Sequence, residues 1–142
     1  MRIAALAFLL LALCGAACGN NTQTPTSADT TTSVPTTRLF TGTLPAKGFA
    51  FFSFTASQPG TASAMLASVT TAGTGRTLAV PLGLGLGIPS GIDCAQFLSK
   101  VVTPALVPQL TYLPQAGTYC IRVYDTGALT DDVTFAVRIS YP

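Results

Sequence analysis

Side chains that could perform acid–base or nucleophilic chemistry are few in this chain. The sequence has no histidine and no glutamate, and its acidic residues are Asp29, Asp93, Asp125, Asp131 and Asp132. A serine or cysteine nucleophile needs a neighbouring base, so the usual catalytic triad cannot form without histidine. Carboxylate pairs could hydrolyse a glycosidic bond, but Asp29 lies in a linker and the last three flank turns. We therefore expect a protein that is not an enzyme, with no catalytic residue and no cofactor.

The turn aspartates form the one candidate metal site of the sequence. Asp125, Asp131 and Asp132, together with backbone carbonyls, could supply the oxygen ligands that calcium prefers. Capping of the turns is the alternative explanation for the same residues. Sugar binding by stacking would need exposed rings, and the chain has no tryptophan. The candidate rings are Tyr112, Tyr124 and Tyr141.

Residues 1–17 have the layout of a signal peptide. Arg2 provides a positive start, residues 3–13 are apolar but too few to span a membrane comfortably, and small residues precede Cys18. The Ala16-Ala17-Cys18 run resembles a bacterial lipoprotein signal, which implies lipidation of Cys18 after cleavage. Because residue 19 is glycine and not aspartate, the resemblance also implies sorting to the outer membrane. Ordinary secretory cleavage after Ala17 is the alternative, and it would release a soluble periplasmic or secreted protein.

The predicted signal peptide also suggests a role for each of the four cysteines. If cleavage removes Cys14 and lipid occupies Cys18, then Cys94 and Cys120 remain as an even pair in an oxidising compartment, where we expect a disulfide. Alternation places Cys120 on the outer face of its strand, so Cys94 should reach it from the outer face or the edge of a sheet. Two free buried thiols are the alternative. A zinc site would lack ligands.

The rest of the chain divides into a linker and one domain. Residues 18–37 begin with the lipidated cysteine and continue as a linker rich in threonine, serine and proline. Such a segment has too few apolar side chains to bury a core, so we expect it to be disordered. Residues 38–142 are enough for a single domain with a real core.

Short runs of alternating apolar and polar residues, separated by Gly and Pro turns, predict seven or eight strands in this domain. The expected fold is all-β, a small antiparallel β-sandwich of jelly-roll type. Residues 118–124 and 133–139 are the strongest runs and predict a final hairpin, with Arg122 facing water. Residues 93–102 fit either a helical turn or an edge strand.

A Leu/Gly stretch at residues 78–87 places leucine or valine at every second position. It predicts a strand whose glycine face allows another backbone or side chain to approach closely. A phosphate-binding loop is the alternative, which the pattern disfavours because no lysine and no helix start follow and the spacing differs from that of phosphate-binding loops. The predicted apolar face is Leu78, Val80, Leu82, Leu84 and Leu86.

Four segments of this domain resemble the bacterial pre-peptidase C-terminal domain: residues 40–44, 52–54, 60–64 and 113–124, the last with the sequence LPQAGTYCIRVY. The resemblance implies a non-catalytic antiparallel β-sandwich of the kind appended to secreted enzymes. Some relatives bind polysaccharide, matrix proteins or calcium. This chain differs in its Leu/Gly stretch and has no peptidase beside the domain, so no binding site is carried over.

Composition and charge limit the class of partner. The net charge of the chain is +2, far from the basic surface that nucleic-acid binding needs. We expect a non-enzymatic, lipid-anchored envelope protein that displays its β-sandwich to an envelope protein or polysaccharide. The alternative is a carbohydrate- or calcium-binding recognition domain that acts beside a secreted enzyme.

Overall fold

The computed structural model describes residues 34–142, which form eight β-strands. Within that range no helix is long and apolar enough to cross a membrane. Cys18, the signal peptide and the linker up to residue 33 lie outside the described residues, and the last two linker positions belong to the first strand. The strands are β1 (Thr36–Leu44), β2 (Phe49–Ala56), β3 (Ala62–Thr71), β4 (Leu82–Ser90), β5 (Asp93–Val102), β6 (Leu110–Tyr112), β7 (Gly117–Asp125) and β8 (Val133–Tyr141).

The strands form two four-stranded sheets, in the orders β1-β8-β3-β6 and β2-β7-β4-β5. The antiparallel pairs are nested: β1 with β8, β2 with β7, β3 with β6 and β4 with β5. Nested pairing of eight strands across two sheets is the arrangement of a jelly roll. The predicted all-β sandwich is therefore confirmed, and residues 93–102 are an edge strand.

The predicted final hairpin is wrong. β7 lies between β2 and β4, whereas β8 lies between β1 and β3 in the other sheet. Ile121 and Val123 of β7, and Phe135 and Val137 of β8, are almost completely buried. Their apolar faces are thus turned into the space between the sheets. Residues 126–132 are long enough to cross the ~10 Å between the two layers, so sequence neighbours need not pair.

The core between the sheets is apolar. No polar or charged side chain is buried among residues 34–142. Leu82, Leu84 and Leu86 are buried as the alternation predicts, whereas Leu78 and Val80 precede β4 and are only half-buried. Leu78 and Val80 thus lie in the loop that precedes the strand, where they pack against the edge of the core.

The loops divide between two ends of the sandwich. At the near end the chain enters β1, because Thr36 pairs with Tyr141. The loop at 57–61 and the loop at 113–116 meet there, as the Gly60 N–H donates to the Pro114 carbonyl at 3.3 Å. The β4–β5 turn also lies at this end, since β4 runs from the partner of Asp125 towards that of Cys120. The loops at 45–48, 72–81 and 126–132 form the opposite, far end.

Candidate functional site

A groove of about 430 Å³ lies at the far end, between the loops at 72–81 and 126–132. Its apolar lining includes Leu129, which is buried, and Leu78 and Val80, which are half-buried. Exposed polar side chains add charges of both signs. The charged lining residues are Arg76, Asp131 and Asp132.

Asp125 holds the loop at 126–132 on one side of the groove. Its Oδ1 accepts hydrogen bonds from the N–H groups of Gly127 at 2.8 Å, Ala128 at 2.9 Å and Leu129 at 3.2 Å. Its Oδ2 accepts from the Lys47 N–H at 2.8 Å, which ties in the β1–β2 turn. Desolvation raises the pKa of Asp125, but the four N–H donors outweigh it, so the pKa lies below its usual value.

The loop at 72–81 is fixed on the other side by Thr71. The Thr71 N–H donates to the Arg76 carbonyl at 2.9 Å, and Thr71 Oγ1 accepts from the Arg76 N–H at 3.0 Å. The Ala72 N–H donates to the Asp132 carbonyl at 3.3 Å, which joins the two loops directly. Gly73 and Gly75 have φ values of +90° and +68° and so make the tight turn possible. Hydrogen bonds from backbone N–H groups to side-chain and carbonyl oxygens therefore position both loops that line the groove.

The three aspartates singled out from the sequence have different roles. Asp125 caps its own loop with Oδ1 and holds the β1–β2 turn with Oδ2, a turn-capping role that the sequence offered as the alternative to calcium. Asp132 Oδ1 accepts from the Ala46 N–H at 3.4 Å, and Asp131 Oδ2 accepts from the Thr130 hydroxyl at 3.0 Å. Within residues 34–142, no three His, Cys, Asp or Glu side chains form a group that could hold a metal ion.

Aromatic side chains do not line the groove. Tyr141 is buried, and Tyr112 and Tyr124 are only half-buried, so the predicted exposed rings are largely covered. Phe97 and Phe49 are more exposed, at 46% and 42%. The register of β4 and β5 shifts opposite Phe97, which makes it the extra residue of a β-bulge. No sequence signal marked either ring.

The predicted disulfide between Cys94 and Cys120 is present, with a Cα–Cα distance of 5.9 Å. It joins edge strand β5 to β7 across the end of β4, which confirms the expected approach from the outer face. Beside it, Asp93 pairs with Arg122 at 3.4 Å, and the Arg122 guanidinium lies 4.0 Å from the Phe49 ring centre. Arg122 therefore does not face water as predicted: its side chain is 22% exposed.

Arg76 and the groove as a whole were missed by sequence reasoning. The lining residues come from two loops that are more than 40 positions apart in the chain. The pairings of β3 with β8 and of β4 with β7 bring these loops together. Thr and Gly in the loop at 72–81 indicated a turn and nothing about a groove, so no signal in the sequence could have identified it.

Comparisons with known proteins give a fold and no family. No family model and no curated protein matches the chain. Similar solved structures include the Yersinia pseudotuberculosis-derived mitogen, with a TM-score of 0.52, 13% identity, and coverage of 77% of this chain and 88% of that one. The Aeromonas hydrophila periplasmic inhibitor of g-type lysozyme, PliG, has a TM-score of 0.45, 15% identity, and coverage of 75% and 86%.

A protein from Sulfurospirillum deleyianum has a TM-score of 0.36 and 8% identity, over 69% of this chain and 96% of that one. At these identities the likeness concerns the fold alone, and of the three structures named here the mitogen has the TM-score above 0.5 that supports it. The β-sandwich implied by the pre-peptidase C-terminal resemblance is present, while membership of that family stays a prediction. The chain is thus a disulfide-bonded jelly-roll sandwich, and its disulfide fits an exported protein.

Proposed function

We propose that the protein is a non-enzymatic, lipid-anchored component of the bacterial cell envelope that binds a segment of a partner protein in the groove at the far end. The placement of the groove carries the proposal. The chain enters β1 at the near end, and the groove lies at the opposite end. A lipid on Cys18 would attach the chain from the end opposite the groove, so the attachment itself would not cover the groove.

The chemistry of the groove fits a polypeptide better than a sugar chain. A volume of about 430 Å³ is in the usual range for binding sites, which combine apolar lining with a few polar groups. Leu78, Val80 and Leu129 could receive apolar side chains, while Arg76 and Asp131 could pair with charges of either sign. A saccharide would lack the aromatic platform on which sugar rings stack.

The anchor is tested by the intact mass of the protein isolated from its own membrane. We expect a diacyl or triacyl adduct on an N-terminal Cys18, with Cys94 and Cys120 still joined. An unmodified chain that starts near residue 18 would overturn the anchor and favour a soluble periplasmic or secreted protein.

The groove is tested by cross-linking in intact cells, with quantification of the partner by mass spectrometry. We expect Arg76→Glu and Asp131→Lys each to reduce the cross-linked partner severalfold. Arg138→Glu is the matched control, because Arg138 is exposed on β8 and does not line the groove. Equal recovery with all variants would overturn the groove as the site. Binding of the purified protein to a glycan array, with or without calcium, would favour the recognition-domain alternative.

A further inference from the structure

The near end of the sandwich presents exposed apolar side chains. Ile92 in the β4–β5 turn is 91% exposed, Leu113 is 70% exposed, and Ile88 is 55% exposed. The edges of the two sheets meet on this side, because the ring of Tyr112, next to Leu113, lies 4.7 Å from the ring of Phe97 in β5. Isolated exposed leucines are ordinary, but here three branched apolar residues are exposed at the same end of the sandwich.

The two ends of the sandwich also differ in the charge of their loops. The near-end segments 57–61, 88–92 and 113–116 contain no charged side chain. Asp93, the closest acid along the chain, is paired with Arg122. Half of the charged side chains of residues 34–142 lie instead at or beside the far end. They are Lys47, Arg76, Asp125, Asp131 and Asp132.

The apolar turn is held rigidly in place. The Cys94–Cys120 disulfide starts two residues after Ile92 and fastens the base of the turn to β7. Gly91 has a φ of +60°, which closes the turn tightly. A surface group that is fixed before binding loses little conformational entropy when it binds. This end is therefore built to present Ile92 to a partner without reordering.

The chain outside the described residues indicates what that partner is. Fifteen residues separate Cys18 from Val34, so the tether reaches at most about 55 Å. That keeps the domain close to the lipid that carries Cys18 and makes docking an intramolecular event at high effective concentration. Attachment through Cys18 does not by itself set the orientation of the domain, and a contact between the domain surface and the lipid would do so.

We propose that the near end docks on the phospholipid surface, with Ile88, Ile92 and Leu113 entering its interfacial layer. Uncharged loops with branched apolar tips suit that layer, where apolar groups are buried and unpaired charges are costly. Docking turns the groove away from the bilayer. The proposal rests on the lipid anchor of the proposed function and adds the face by which the domain sits on the membrane.

The test uses the absence of tryptophan from the chain. Acylated mature protein carrying Ile92→Trp or Leu113→Trp is reconstituted in vesicles of phosphatidylethanolamine and phosphatidylglycerol that contain brominated phosphatidylcholine. Leu106→Trp is the matched control, since Leu106 is 78% exposed in the loop that runs beside β3. We expect blue-shifted emission and about threefold stronger quenching at positions 92 and 113, because interfacial groups lie 5–10 Å into the layer.

Flotation and intact mass, measured on the same samples, separate the possible failures. Acylated protein that floats with the vesicles but is quenched equally at all three positions would overturn the docking surface and leave the anchor intact. Unacylated protein that does not float would overturn both. A blue shift that grows with protein concentration, without quenching by brominated lipid, would mean that this end binds a second copy. That result would also overturn the proposal.

Discussion

At the scale of single residues, Asp125 contributes most to the geometry of the far end. One carboxylate accepts four backbone N–H groups from two different loops. Hydrogen bonds to a charged acceptor contribute more than neutral ones. Lys47, one of the donors, has a positive φ of 61°, a conformation that an L-residue adopts only when its surroundings fix it. The side wall of the groove therefore depends on this single carboxylate.

We expect Asp125→Ala to lower the free energy of unfolding by about 2 kcal/mol at neutral pH, since several charge-assisted hydrogen bonds are lost together. Because the folded-state pKa of Asp125 is lowered, its contribution is present above the unfolded pKa of about 3.9 and is lost as the pH falls through the folded pKa. Urea denaturation of both proteins at pH 7 and pH 2 measures this. Asp131→Ala is the control, and an equal loss in both variants would contradict the capping role.

The same engagement of Asp125 leads to a prediction about calcium. Its two carboxylate oxygens already accept backbone hydrogen bonds, so a calcium ion would have to break the cap to use them. We expect neither calcium chloride nor a chelator to change the midpoint of thermal unfolding of the mature protein. A rise of several degrees with calcium, abolished in Asp131→Asn, would show that the carboxylates do form a site.

At the scale of elements, β4 shows what an alternating pattern can and cannot predict. Leucine at every second position predicted a buried face, and glycine on the other face predicted a close approach. Both hold: the Tyr124 ring covers Gly83, the Gln96 side chain covers Gly85, and the Ala95 backbone covers Gly87. These approaches are possible because glycine has no β-carbon.

Two of the three glycines of β4, Gly85 and Gly87, should differ in their tolerance of alanine. We expect Gly87→Ala to destabilise the fold by about 3 kcal/mol, because the new β-carbon would overlap backbone atoms of β5 that cannot move aside. Gly85→Ala is the matched control and should cost less than about 1 kcal/mol, since the flexible end of Gln96 can rotate away. Chemical denaturation ranks the two variants, and the reverse order would refute this account of the glycine face.

Strand partners could not be predicted in the same way. The pattern of β7 is the same whether it pairs with β8 or with β2 and β4, because alternation reports one buried face and no neighbour. The burial of Arg122 was missed because the residues that cover it begin two other strands, Phe49 in β2 and Asp93 in β5. The cysteine pair, in contrast, was predictable from the cysteine count together with the expected cleavage after Ala17 and lipidation of Cys18, which leave two thiols without another role.

At the scale of the whole described domain, one end has a groove lined by charged side chains and the other end exposes apolar side chains. Nested pairing of the strands determines which loops meet at each end. Each end collects loops from distant parts of the chain, so neither the charged groove end nor the apolar near end can be seen as a continuous run of sequence. Sequence alone therefore gave the class of fold, the disulfide and most of the core. The groove and the exposed apolar residues of the near end could be found only once the strand topology was known.

The disulfide connects these scales, and its removal gives the last prediction. Cys94 and Cys120 are 26 positions apart, and a loop of that size should contribute about 3–4 kcal/mol in the chain-entropy model. We expect a Cys94→Ala/Cys120→Ala variant to lose about that much, as measured by urea denaturation. Reducing agent should have the same effect on the wild type and none on the variant.

Because the bridge also fastens the β4–β5 turn, hydrogen exchange should rise most at residues 88–95 and little in the loop at 126–132, which Asp125 holds independently. A uniform rise would mean that the bridge stabilises the fold only through the unfolded chain, and that the near end is not held in place by it.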